Sequence, residues 1–102
     1  MLAIDHPFES AVTQLADGTI AAQKNDFPGG DHAAGTAYMV DKLATRVADI
    51  RFTLDQIARP GAVGPTLASH LDLQHVAVIG HSFGGAAAAS AMVQDPRIKA
   101  AA

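Results

Sequence analysis

The sequence has no cysteine and no tryptophan, a single tyrosine and only seven basic residues. Without cysteine there is no disulfide framework, no thiol nucleophile and no thiolate metal site, and the redox compartment leaves no trace. The basic residues Lys24, Lys42, Arg46, Arg51, Arg59, Arg97 and Lys99 are scattered, and the formal charge is −3. No basic stripe is offered to phosphates, so a nucleic-acid partner is not expected. No apolar run approaches the 18 or so residues of a membrane span, and Asp5 and His6 fall where a signal core would be apolar. Neither a transmembrane segment nor a signal peptide is expected in this stretch.

What remains is a globular composition, 49% apolar, in 102 residues. That is about the size of one small domain, and short for a whole α/β enzyme. Residues 2–4 (LAI), stopped by Asp5-His6-Pro7, predict the end of a buried strand running into a loop. Two short alternating segments around Ala16-Asp17-Gly18 predict a β-hairpin. The Gly-, Asp- and Pro-rich stretch 24–36 lacks periodicity and reads as a loop. From 37 to 59, Val40, Leu43, Val47, Ile50, Leu54 and Ile57 recur at steps of three and four, which predicts a helix with one apolar face, ended by Pro60-Gly61. Residues 75–79 (HVAVI) have the β-branched pattern of a parallel strand buried on both faces. The Ala-rich run 83–94 favours helix, Asp95-Pro96 breaks it, and Ile98 opens another apolar run. This order of elements is that of an α/β layer architecture.

One stretch carries chemistry. Gly80-His81-Ser82-Phe83-Gly84 fits G-x-S-x-G between an apolar strand and a helix, the setting of a nucleophile elbow. There the serine is held in a strained backbone conformation at a helix N-terminus. Gly80 and Gly84 are expected to be glycine because a Cβ would collide where the helix crosses back over the strand. The Phe83 N–H would be an oxyanion donor. The bland alternative is a Gly-rich turn in which Ser82 merely caps a helix. His81 sits beside Ser82, but neighbours on a tight turn point apart, so it reads as a structural or pocket-lining residue rather than the general base. His6, His32, His70 and His75 precede the serine, whereas α/β-hydrolases place acid and histidine after it. Asp95, before Pro96, reads as a turn residue. His6 and His32 lack the spacing of a metal pair, and neither a metal nor another cofactor is expected.

Several stretches together, 4-IDHPFES-10, 17-DG-18, 51-RFTLDQI-57, 80-GHSFGGAAA-88 and 95-DPRIKAA-101, resemble the platelet-activating-factor acetylhydrolases of the plasma and isoform II type within the α/β-hydrolases. The segment GHSFGG is shared with cutinase-like, chlorophyllase-like and dienelactone-hydrolase-like esterases. The resemblance implies a partial α/β-hydrolase fold, the central part of a mostly parallel sheet with flanking helices and a hairpin, in one incomplete domain over 1–102. It implies Ser82 as nucleophile, Phe83 as oxyanion donor and a small-molecule or lipid ester as substrate. It also implies that the triad acid and histidine lie beyond Ala102 and the first strands before Met1. The alternative function is a catalytically inactive fragment or degenerate copy, at most an interaction module. Open sheet edges would in either case allow self-association.

Overall fold

The computed structural model describes residues 1–102, which gather into two compact units, Met1–Val40 and Asp41–Ala102. It is a small α/β structure with two separate two-stranded sheets.

In the first unit, β1 (Val12–Gln14) and β2 (Ile20–Ala22) pair antiparallel, Thr13 opposite Ala21, as the Asp-Gly signal predicts. Asp17 and Gly18 close the turn. The Thr19 N–H donates to Asp17 Oδ1 at 2.9 Å, the Gly18 N–H donates to the Leu15 carbonyl at 2.9 Å, and Gly18 adopts φ 86°. That left-handed value is open to glycine without a Cβ penalty, and it follows the turn as in three-residue hairpins. The bond to Thr19 favours the charged carboxylate and lowers the Asp17 pKa. Thr13 and Ala21 are buried while Val12, Gln14, Ile20 and Ala22 face outward, the alternation of a sheet covered on one side.

Residues 2–4 form no strand, contrary to expectation, and Leu2 is exposed. A strand exists through its ladder, and three apolar residues find no partner here because the chain turns at once. The Glu9 and Ser10 N–H groups both donate to the His6 carbonyl at 3.0 Å, and Phe8 takes φ 67°.

Helix α1 (His32–Ile57) begins five residues before the start expected at Ala37, inside the expected loop. Asp31 is the cause: its Oδ1 accepts the Ala33 N–H at 2.9 Å and the Ala34 N–H at 3.4 Å, satisfying donors that a helix start leaves orphaned. Before the helix, Phe27 meets Tyr38 edge-on at 5.4 Å, and the Tyr38 hydroxyl donates to Asp26 at 2.7 Å. That bond to a carboxylate pushes the phenol pKa up to about 12.

In the second unit the middle of the apolar stripe is the buried face of α1: Val47, Ile50 and Leu54 are buried, Val47 at 3% exposure, whereas Val40 is 62% exposed. The connection after α1 holds a short helix, α2 (Pro65–Ala68), with proline at its start, where the missing N–H costs nothing. Next come β3 (Val76–Val78), α3 (Phe83–Gln94) and β4 (Ile98–Ala101). β3 and β4 pair parallel and α3 packs across them, a β-α-β unit. The register runs Val76 to Ile98 and then Ala77 to Ala100, so Lys99 is an extra residue in a bulge. The Ala102 N–H donating to Val78 O at 3.1 Å and the Gly80 N–H donating to Ala102 O at 2.8 Å continue the ladder to the elbow.

α3 presents Ala87, Ala88 and Ala91 to the core, where Ile98 of β4 is also buried. Small side chains let the helix lie close to the strands. β3 is not buried on both faces: Val76 and Val78 are half-buried, Ala77 is exposed, and Ile79 beyond it is 70% exposed. The sheet of this unit is accordingly a pair of parallel strands with one covered face.

Asp95 ends α3 in an extended conformation and is more than a turn residue. At 4% exposure it accepts the Arg97 N–H at 3.1 Å and Arg97 Nε at 2.9 Å, and Arg51 Nε of α1 stands 3.7 Å away. Arg97 also reaches Asp55 of α1 at 2.8 Å, so a four-residue network ties α1 to the α3–β4 turn. The Arg97 hydrogen bonds hold the Asp95 pKa down to about 2 against burial, which would raise it. The ion pairing is reciprocal and raises the Arg97 pKa.

Two outcomes follow for stability. Val47→Asp should abolish cooperative melting, because it buries an unpaired charge at a cost of several kcal/mol. Asp95→Asn should be destabilising at pH 6, by roughly 2 kcal/mol, because a carboxylate with a depressed native pKa contributes stability above its unfolded pKa. That contribution drains away as pH falls from about 4 through about 2. Chemical denaturation at pH 6 and pH 2 should therefore show the gap between Asp95→Asn and the parent narrowing in acid.

Candidate active site

The strand-to-helix crossing is built by a close approach of two backbones. A Cβ added at Gly80 would overlap the backbone carbonyl group of Gly84 and come within 2.8 Å of the Gly85 nitrogen. A Cβ at Gly85 would stand 3.1 Å from the Gly80 oxygen. Gly84 differs from expectation: a Cβ there would meet nothing within 4 Å. What presses on Gly80 at this position is the Gly84 main chain, so the steric demand falls on Gly80 and, more mildly, on Gly85.

Between these glycines Ser82 takes φ 54° and ψ −118°, one of only two non-glycine residues with positive φ. An L-residue is held there at a cost of roughly 1–3 kcal/mol, sustained by the surrounding turn. The Gly84 N–H donates to the His81 carbonyl at 2.9 Å, and the Gly85 and Ala86 N–H groups donate to the Ser82 carbonyl at 3.0 and 3.2 Å. Ser82 is exposed, and its hydroxyl makes no cap bond to α3. The capping alternative is thereby removed, since a capping serine uses its oxygen on the N2 or N3 amide and has ordinary extended angles. The hydroxyl is left at the N-terminus of a 12-residue helix, beside the first N–H of that helix, on Phe83, which has no intrahelical acceptor. A serine hydroxyl, a main-chain donor and the positive end of a helix dipole meet at one exposed point.

Phe83 is half-buried, and the Arg46 guanidinium of α1 lies 4.7 Å from its ring centroid. Periodicity placed Arg46 only on a polar side of the helix. Nothing in the spacing of residues 46 and 83 announced that contact.

His81 is exposed and enters the turn through its carbonyl. His70 and His75 are held by local contacts: His70 Nδ1 lies 2.7 Å from the Thr66 carbonyl and 3.1 Å from Ser69 Oγ, and His75 Nδ1 lies 2.7 Å from Asp72 Oδ2. The His75 contact lowers the Asp72 pKa. Neither histidine is drawn to Ser82 by these bonds. His6 and His32 belong to the 1–40 unit, and no three acidic, histidine or cysteine side chains gather as a metal site.

The two glycines give a sharp contrast in mutation. Gly80→Ala should cost about 3 kcal/mol, as overpacking against backbone does. Gly84→Ala should be neutral or up to about 1 kcal/mol stabilising, since alanine is the better helix former. Thermal melts of the two variants against the parent check the ordering.

Residues 64–102, less than half of the chain, match the family model described as platelet-activating factor acetylhydrolase, isoform II. The matched segment contains β3, the elbow, α3 and β4, and with them 80-GHSFGGAAA-88 and 95-DPRIKAA-101. The segments 4-IDHPFES-10, 17-DG-18 and 51-RFTLDQI-57 lie outside it. No curated protein and no solved structure matches the chain. The resemblance read from the sequence is thus met from Gly64 onward, in the part of the chain that builds the elbow.

Proposed function

We propose that this chain carries the nucleophile of a serine carboxylic-ester hydrolase of α/β-hydrolase type, acting on short acyl esters or phospholipid acetyl esters. The observation that carries the reading is Ser82 itself, strained at φ 54°, exposed, and with a hydroxyl not spent on capping. The match of residues 64–102 to an acetylhydrolase family supports the substrate class.

In this reading Ser82 Oγ attacks the ester carbonyl carbon while its proton passes to a histidine base, which in these hydrolases follows the serine in the chain. The negative charge that develops on the carbonyl oxygen is received by the Phe83 N–H at the start of α3. The C–O bond to the leaving group breaks, the alcohol departs with the proton, and the acyl group remains on Ser82. Water then attacks the acyl-enzyme and gives its proton to the same base, which returns it to Ser82 Oγ as the acyl–Oγ bond breaks and the carboxylic acid leaves. His81 lines the approach to Ser82 and takes no proton.

The second reading is an inert scaffold that associates through the open edge of β3, favoured by the exposure of Ala77 and Ile79 on a strand paired on one side.

A fluorophosphonate probe separates the two. Under the hydrolase reading, in a polypeptide extended to supply a histidine after Ser82, mass spectrometry places the adduct on Ser82, Ser82→Ala removes it without changing the circular dichroism, and nitrophenyl acetate turnover falls to background with the same substitution. Residues 1–102 alone, with no histidine after Ser82, turn the ester over scarcely above background. A folded extended polypeptide whose Ser82 resists the probe, and which sediments as a dimer or larger, would be the inert scaffold.

A further inference from the structure

We infer that Arg46 is a positioning residue for the elbow: its guanidinium, lying over the Phe83 ring, fixes the angle at which the Phe83 N–H is presented beside Ser82. The inference rests on the hydrolase reading for its functional meaning, but its geometry stands alone. Phe83 is the first residue of α3 and the first after the strained Ser82. Its backbone is anchored through its neighbours, by the Gly84 and Gly85 N–H groups on the carbonyls of His81 and Ser82. The contact from outside the turn is made to the ring, where the Arg46 carbon lies 4.7 Å from the centroid.

Arg46 is itself fixed from below. It immediately precedes Val47, and Val47, Ile50 and Leu54 bury the face of α1 that belongs to the core of this unit. Further along the helix, Arg51 and Asp55 join the Asp95–Arg97 pair at the other end of α3. α1 therefore holds α3 at both ends, through a guanidinium on an aromatic ring at the N-terminus and through ion pairs at the C-terminus. The N-terminal hold bears on the oxyanion donor, because rotation of the Phe83 side chain at Cα couples to the φ of the residue whose N–H must point at the reacting oxygen. A guanidinium over an aromatic face suits this role, being planar, weakly hydrated and always charged.

The test is nuclear magnetic resonance on the full chain. Arg46→Ala should shift the amide resonances of Ser82, Phe83 and Gly84 and speed the hydrogen exchange of the bonded Gly84, Gly85 and Ala86 amides roughly threefold to tenfold, the effect of losing one cation–π contact. The amides of Ala87, Ala88 and Ile98 should stay put. Arg46→Lys, which keeps the cation, should recover most of the parent pattern. Phe83→Leu, which keeps an apolar side chain but removes the ring, should reproduce the response of Arg46→Ala. Unmoved Ser82–Gly84 amides in Arg46→Ala would overturn the inference. So would a disturbance spread evenly through the core, which would make Arg46 a packing residue only. Fluorophosphonate labelling of the same variants in a polypeptide extended to supply a histidine after Ser82 keeps the two claims apart. A local amide response in a chain whose Ser82 is never labelled removes the hydrolase reading and leaves the Arg46 contact established. Labelling that proceeds equally well in Arg46→Ala, with the amides unmoved, removes only the inference.

Discussion

The backbone approach between Gly80 and the Gly84–Gly85 peptide is the constraint on which the second unit depends. A parallel β-α-β unit must reverse direction after its first strand, and the tightness of that reversal sets how closely the helix can lie on the sheet. Here the main chains come near enough that no side chain fits at residue 80. The consequence at Ser82 is a left-handed φ, and the consequence along α3 is a core face of Ala87, Ala88 and Ala91, since larger residues would hold helix and strands apart. Strain, small side chains and an exposed hydroxyl are three outcomes of one geometric choice.

That choice was legible in the sequence because it is written in residue types with few alternative explanations. A β-branched run, a glycine, a serine, two more glycines and an alanine run leave little other reading, and the boundaries of α3 agree with those drawn from the sequence. The hairpin was legible for the same kind of reason, as Asp17 and Gly18 each meet a specific demand of the turn. Gly84 was misjudged because the pattern G-x-S-x-G marks two glycines alike, whereas the collision in space involves the side chain position of one and the main chain of the other.

Other features were illegible for physical reasons. The early start of α1 depends on a single carboxylate, Asp31, in a stretch whose composition speaks for a loop, and a cap competes with composition only locally. Residues 2–4 and the two-sided burial expected of β3 fail for a shared reason: apolar composition records what a strand is suited to pair with and lie under, while pairing and cover are supplied by other segments. Ile79 has the composition of an interior residue and the exposure of a surface one. The Arg51–Asp55–Asp95–Arg97 network joins residues about forty positions apart, and no periodicity on either element indicates it.

The network and the elbow also explain why polar groups are tolerated so near this small core. Asp95 is buried, and a buried carboxylate ordinarily becomes protonated to escape the cost of desolvation. Its pKa moves the other way because Arg97 offers both a backbone and side-chain donors, with Arg51 adding charge. The charge is thus retained at the C-terminal end of α3, where α3 itself would disfavour an anion, and the two arginines outweigh that dipole. At the N-terminal end the dipole has the opposite sense and favours an anion, and there the chain places no carboxylate in the first turn of α3. Within its own first turn, the positive end of α3 is therefore not offset by an acidic side chain beside the exposed Ser82. In the proposed reaction a developing oxyanion is the kind of charge that such an end would stabilise, whereas a permanent carboxylate in that turn would cancel the effect.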